Sequence, residues 1–165
     1  SRLPLAQARN VAGAVVAALG AAHAAGVVHG DIQPSNIMVA GTGAVKVRDW
    51  GVAVSLRRAA GLAWTEAGVC RPYMAPEQEM GEAGPESDLY SLGVVFYEMT
   101  TGRLPFEGPN FLDQKREMRL VHPSELVSGL APQADALSAR ALAPDPRRRF
   151  RSAVEFLTAL KGLPG

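Results

Sequence analysis

From Leu5 onward, apolar residues recur at the spacing of one helical face: Leu5, Ala8, Ala12, Val15, Val16 and Leu19, with His23 continuing the row. Residues three and four apart stack on the same side of an α-helix, so this stretch has to bury that side against another part of the fold. Pro4 suits the first turn and Gly26 the end of such a helix: proline lacks only an N–H that a helix start leaves unused, and glycine accepts the left-handed closing conformation. Val11 to Ala25 is also apolar enough to compare with a signal peptide, but Gly13, Gly20 and His23 interrupt it and the basic lead-in amounts to Arg2 and Arg9. A buried helix is the better reading, and no apolar run is expected to span a membrane.

Beyond that helix, Val27 and Val28 read as a short extended piece entering a loop. Ile37–Val39 and Val45–Val47 are strand candidates, with Gly41, Thr42 and Gly43 as the turn of a hairpin. Residues 48 to 76 keep no period, and a loop of that length inside a compact domain is usually functional. The second half is helical. Ser87 or Asp88 is the expected cap of a helix carrying Leu89, Leu92, Val95, Phe96 and Met99, closed by Gly102. Phe111 to Leu120 is a weaker helical candidate. Ala134, Leu137, Ala141 and Leu142 mark another helix, stopped by Pro144, Asp145 and Pro146. Ser152 and Glu155 have capping-box spacing before a last helix with Val154, Phe156, Leu157 and Leu160. The expected fold class is mainly α with a small β-hairpin, one domain over residues 1–165.

Composition narrows the function classes. Hydrophobic residues make up 47% and charged residues 20% of the 165, which is globular rather than disordered. A net charge of +1 gives no general electrostatic case for nucleic acid or an anionic membrane. Arg147 to Arg149 read as surface charge or pairing partners rather than a nucleic-acid patch. The single cysteine, Cys70, excludes an internal disulfide framework and fits a reducing, cytoplasmic compartment. The first residue is Ser1, so missing upstream sequence is expected.

The chemistry lies in two segments. His29 to Val39, HGDIQPSNIMV, puts Asp31 and Asn36 five residues apart on a loop between the first helix and the hairpin. Asp49-Trp50-Gly51 follows directly after the hairpin, which would return Asp49 toward that loop. Phosphoryl transfer needs this set: a carboxylate that orients a hydroxyl and takes its proton, plus oxygen ligands for magnesium. Asp31 is the candidate base, and Asn36 with Asp49 are the candidate metal ligands.

These segments resemble the eukaryotic-like (Hanks-type) serine/threonine protein kinases, bacterial members most closely. The family's H-R-D-x-x-x-x-N loop matches His29, Gly30, Asp31 and Asn36; its D-F-G matches Asp49, Trp50 and Gly51; its A-P-E is unchanged as Ala75, Pro76 and Glu77. Ser87 to Gly108 resembles the central helix of the kinase large lobe, and Asp145 to Arg149 the late D-P-x-x-R element. The resemblance covers essentially the whole chain. It implies the C-terminal lobe of a kinase using ATP and Mg2+, a Glu77–Arg149 ion pair, a structural His29, Asp88 holding the catalytic-loop backbone, and Met38 as the apolar contact beside adenine. It also implies a glycine-rich loop, a phosphate-binding lysine and its glutamate in an N-lobe of the same parent polypeptide, and a protein substrate. Without that lobe, weak nucleotide binding is expected.

Departures from the family bear on activity. Gly30 replaces an arginine that normally meets an activation-loop phosphate. Gln33 stands where a lysine normally contacts the transferring phosphoryl group, and an amide brings a donor without charge. Cys70, three before Tyr73, replaces a threonine that touches the catalytic aspartate. Thr65 is the best candidate for phosphorylation among Thr65, Ser55 and Thr42. Two other readings therefore stand beside an active kinase: a pseudokinase acting as an interaction module, and a small-molecule phosphotransferase of the aminoglycoside-kinase type, which HGDIQPSN followed by Asp-Trp also resembles.

Overall fold

A computed structural model describes residues 2–52, 55 and 72–164. The helix of the first half, α1, runs Leu5–Ala24 with Pro4 before it and Gly26 at φ 74° behind it. A 3-10 turn, Pro34–Asn36, leads into β1 (Ile37–Val39) and β2 (Val45–Val47), an antiparallel pair in register Ile37 to Val47, Met38 to Lys46 and Val39 to Val45. The second half holds α2 (Pro76–Glu79), α3 (Pro85–Thr101), α4 (Phe111–Arg116), α5 (Pro123–Leu126), α6 (Pro132–Ala141) and α7 (Ala153–Lys161). Mainly α with one small hairpin is thus the observed class. The short helices α2 and α5 have no counterpart in the sequence expectation, because four residues are too few to show a period.

The centre of the fold is α3. It is buried nearly all round, from Ser87 to Tyr97, which is the signature of a core helix rather than a surface one. On one side Leu89, Leu92, Val95 and Phe96 meet α1 through Ala8, Ala12, Val15, Val16 and Leu19, and α6 and α7 close this cluster with Leu137, Ala141, Phe156 and Leu160. On the other side Tyr90 and Val94 meet Ala75, Phe106 and Leu142. Contrary to expectation, α1 is long and apolar enough to cross a membrane by length and composition, with a mean hydropathy of 1.2. In this fold its Ala8 to Leu19 side is core.

Two caps differ from the sequence expectation. The cap of α3 is Gly84, not Ser87 or Asp88: the helix opens at Pro85, and Ser87 Oγ accepts the Gly84 N–H from within the first turn. That shift frees Asp88 to point inward. At α7, Ser152 Oγ accepts the Glu155 N–H at 3.2 Å as expected, but the Glu155 carboxylate takes the Arg151 N–H and pairs with Arg140 at 2.5 Å. Only half of the reciprocal box forms.

Candidate active site

The loop after α1 hangs from one buried carboxylate. Asp88, 1% exposed, accepts the His29 N–H at 2.9 Å and the Gly30 N–H at 2.8 Å, one on each oxygen. His23 at the end of α1 adds a third bond, Nε2 to Oδ2 at 2.8 Å. A buried carboxylate is costly unless its lone pairs are used, and here three donors from two elements use them. Gly30 sits at φ 78°, a left-handed conformation that a side chain resists by about 1 kcal/mol, so glycine relaxes the loop at the point where it is held.

His29 is fully buried and fixes the next link. Its Nε2–H donates to the Arg48 carbonyl at 2.7 Å, and its Nδ1 accepts the Asp31 N–H at 3.2 Å. The ring therefore joins the catalytic-loop candidate to the residue before Asp49, and Trp50 packs on it edge-on at 4.9 Å between centroids. Arg48 N–H also bonds the Asn36 carbonyl at 2.9 Å, continuing the hairpin ladder by one rung. These bonds tie the backbones of Asp31 and Asn36 to Arg48, the residue before Asp49.

Asp31 is held from two sides. Gln33 Nε2 donates to both carboxylate oxygens at 2.8 Å, and Asn36 Nδ2 donates to Asp31 Oδ2 at 3.0 Å and to its carbonyl at 2.8 Å. With its amide hydrogens committed to Asp31, Asn36 leaves Oδ1 without a donor among the described residues. Asp49 stands at φ 60°, an uncommon conformation for a residue with a side chain and one that clusters at working sites. Its carboxylate is 52% exposed and lies 3.6 Å from Arg48 Nη2. An amide oxygen and an exposed carboxylate on adjoining backbone are hard oxygen donors of the kind magnesium takes when it shares its shell with phosphates. The residues fit such an ion. Met38 lies on the outer face of β1, 52% exposed.

A second anchor lies beneath. Arg149 is 1% exposed and Glu77 8%. Arg149 Nη1 and Nη2 reach the two Glu77 oxygens at 2.6 and 2.8 Å, and the remaining N–H groups reach the carbonyls of Ala143 at 2.7 Å, Pro144 at 3.0 Å and Glu86 at 3.4 Å. All five guanidinium donors are thereby used. Ser87 Oγ completes Glu77 at 2.7 Å. Removing either charge alone would strand the other in the interior, which typically costs about 3–5 kcal/mol. The next residue, Gln78, links this anchor to the loop: its Oε1 accepts the Ala75 N–H at 3.0 Å and its Nε2 donates to the Gly30 carbonyl at 3.1 Å. Lys115 of α4 reaches Glu79 of α2 at 2.8 Å, again buried.

Residues 1–159 match the protein kinase domain family. The chain belongs to that family. Among relatives, it is 41% identical over 150 residues to a probable serine/threonine-protein kinase PknB of Bifidobacterium longum, covering 87% of this chain and 22% of that protein. It is 39% identical over 156 residues to the serine/threonine-protein kinase PknL of Mycobacterium tuberculosis, covering 90% and 38%, and 38% identical over 163 residues to PknA of the same species, covering 96% and 37%. The chain thus spans about a fifth to two fifths of these relatives' length. Its resemblance to bacterial Hanks-type kinases holds, and serine/threonine kinases are the function class of its relatives.

Within this kinase lobe, His23 and Gln78 escaped the sequence reading. His23 left one signal, a polar residue on an otherwise apolar helix face; Gln78 left none, because its partners lie in another segment. Cys70 and Thr65 fall outside the described residues, while Thr42 is exposed on the hairpin turn.

Proposed function

We propose that this chain is the large lobe of a bacterial serine/threonine protein kinase that transfers the γ-phosphoryl group of ATP to a serine or threonine hydroxyl of a protein. Asp31 is the base. Its carboxylate takes the hydroxyl proton as the hydroxyl oxygen bonds to the γ-phosphorus and the bond to the β–γ bridging oxygen breaks, leaving ADP. The observation that carries this reading is the hold on Asp31: Asn36 and Gln33 amides fix its carboxylate on a loop suspended from Asp88. Asn36 and Asp49 would hold magnesium, which when bound neutralises phosphate charge. Met38 would lie against the adenine. Gln33 would turn its amide from Asp31 toward the phosphoryl oxygens, a donor without charge. Trp50 and Gly51 keep Asp49 in its turn, and Glu77, Asp88 and Arg149 are scaffold.

An N-lobe of the same polypeptide is part of this proposal. Val27, Met38 and Val39 are 40–52% exposed on the hairpin side, and the cavity beside Asp31, lined by Gly30, Ile32, Tyr73, Met74, Gln78 and Ser91, holds only about 10 Å3, the room of one water. The supply of ATP places the lobe in the cytoplasm. In the full-length protein, Asp31→Asn should lower labelling by radioactive ATP at least about 100-fold, the lower range for loss of a general base. Undiminished labelling would remove Asp31 from the mechanism.

One observation favours a second reading. Both Asp31 oxygens already accept from the Gln33 amide, as a pseudokinase with a quenched base would have it. Magnesium-ATP binding with no phosphotransfer, unchanged by Asp31→Asn, would select it. The family match and the relatives' names favour the protein-kinase reading over the small-molecule one.

A further inference from the structure

Between His29 and Asn36 the catalytic loop carries no lysine or arginine. Both His29 ring nitrogens are spent inside the fold, on the Arg48 carbonyl and the Asp31 N–H. The residue that faces the Asp31 carboxylate, Gln33, is uncharged. A polyphosphate approaching this loop meets carboxylates at Asp31 and Asp49 and no cation from the loop itself. Transfer of a phosphoryl group relies on positive charge placed where the phosphate oxygens lie.

Arg48 brings such a charge to the edge of the site. Its backbone is tied to the loop at both ends, N–H to Asn36 and carbonyl to His29, so its Cα cannot wander. Along β2 the side chains alternate: Val45 and Val47 pack on the core, while Lys46 and Arg48 lie exposed on the face that carries Met38. The Arg48 side chain is 54% exposed, and its Nη2 is 3.6 Å from Asp49 Oδ2. That separation exceeds a hydrogen bond, and an exposed pair of this kind contributes little. The guanidinium is therefore near the candidate metal carboxylate yet uncommitted to it, with paired donors that match phosphate oxygens.

We propose that Arg48 is the phosphate-facing cation of this lobe: with nucleotide between Met38 and Asp49, its guanidinium leaves the Asp49 carboxylate to the metal and pairs with phosphate oxygens, supplying the charge that Gln33 lacks. This rests on the kinase reading above. The test uses the full-length protein and measures, by calorimetry, the dissociation constants of magnesium-ATP and of adenosine, with phosphotransfer assayed in parallel. Arg48→Met should weaken magnesium-ATP by about tenfold, the scale of one charge-assisted pair, and leave adenosine unchanged. Arg48→Lys should keep much of the ATP affinity, Lys46→Met should keep all of it, and Gln33→Lys placed in the Arg48→Met background should restore most of what was lost. ATP and adenosine weakened alike, or neither weakened, overturns the proposal, as does a loss that follows Lys46 instead. If the wild type transfers phosphate while Arg48→Met leaves the ATP-to-adenosine ratio intact, the proposal fails and the kinase reading stands. If the wild type binds neither nucleotide, both fail.

Discussion

Tyr90 lies in the second cluster with the Arg149 guanidinium 4.7 Å above its ring and its hydroxyl without a hydrogen-bond partner among the described residues. Burial pushes that hydroxyl far above the usual tyrosine range, with Arg149 pulling the other way and Glu77 and Glu79 adding to the rise. Burial likewise raises Tyr97, which donates to the Val121 carbonyl at 2.7 Å, to about 12. For both groups the folded pKa exceeds the unfolded one, so the stability they contribute is full below about pH 10 and is lost as pH rises through the folded values. The melting temperature should therefore fall above about pH 10, and less steeply in Tyr90→Phe. Because its hydroxyl finds no partner among the described residues, the same variant should also be more stable at neutral pH by up to about 1 kcal/mol in urea unfolding. A loss of stability would mean that the hydroxyl has a partner. Nothing in the spacing of the α3 sequence singles Tyr90 out, because periodicity marks one buried face and α3 is buried on every face. Asp31, Asn36 and Asp49 were readable at this scale because their residue types and spacing carry chemistry before any packing is known.

At the scale of elements, α3 and α6 approach each other closely at Gly93. A Cβ placed on Gly93 would come within 2.6 Å of Ala141 Cβ, so the two helices meet almost backbone to backbone. Gly93→Ala should cost about 1–3 kcal/mol in chemical denaturation, the usual range for overpacking. A neutral result would mean that α6 can slide away without loss. A smaller version of the same contact is Gly20 of α1, whose added Cβ would lie 2.9 Å from Ala153 Cβ. The helices α1, α3, α6 and α7 were legible from their periods and punctuating residues. Their caps were less so: Ser87 and Asp88 have the chemistry of cap residues, yet a proline at position 85 starts the helix earlier and turns their side chains to Glu77 and the loop after α1. The Lys115–Glu79 pair, joining two short helices, left no local mark in the sequence.

Across the whole molecule, α1 and α3 form the platform, the loop from His29 to Asn36 and the hairpin lie over it, and the outer face of the hairpin stays exposed at Met38 and Lys46. A nucleotide resting on that face would be covered from one side only. Residues 1–165 alone, checked as folded by circular dichroism, should bind magnesium-ATP at least about 100-fold more weakly than the full-length protein, a difference of about 2.7 kcal/mol. Equal affinity would mean that this lobe needs no upstream partner to hold nucleotide. Order along the chain was enough to specify the helical class, the hairpin, the family and the three oxygen-bearing side chains of the candidate site, because each depends on residue type and on spacing within a few residues. The bonds of His23 to Asp88, of Gln78 to the Gly30 carbonyl and of Arg149 to the Glu86 carbonyl were settled only by tertiary packing. Each depends on groups tens of residues apart meeting within about 3 to 4 Å, a distance that short-range pattern does not encode.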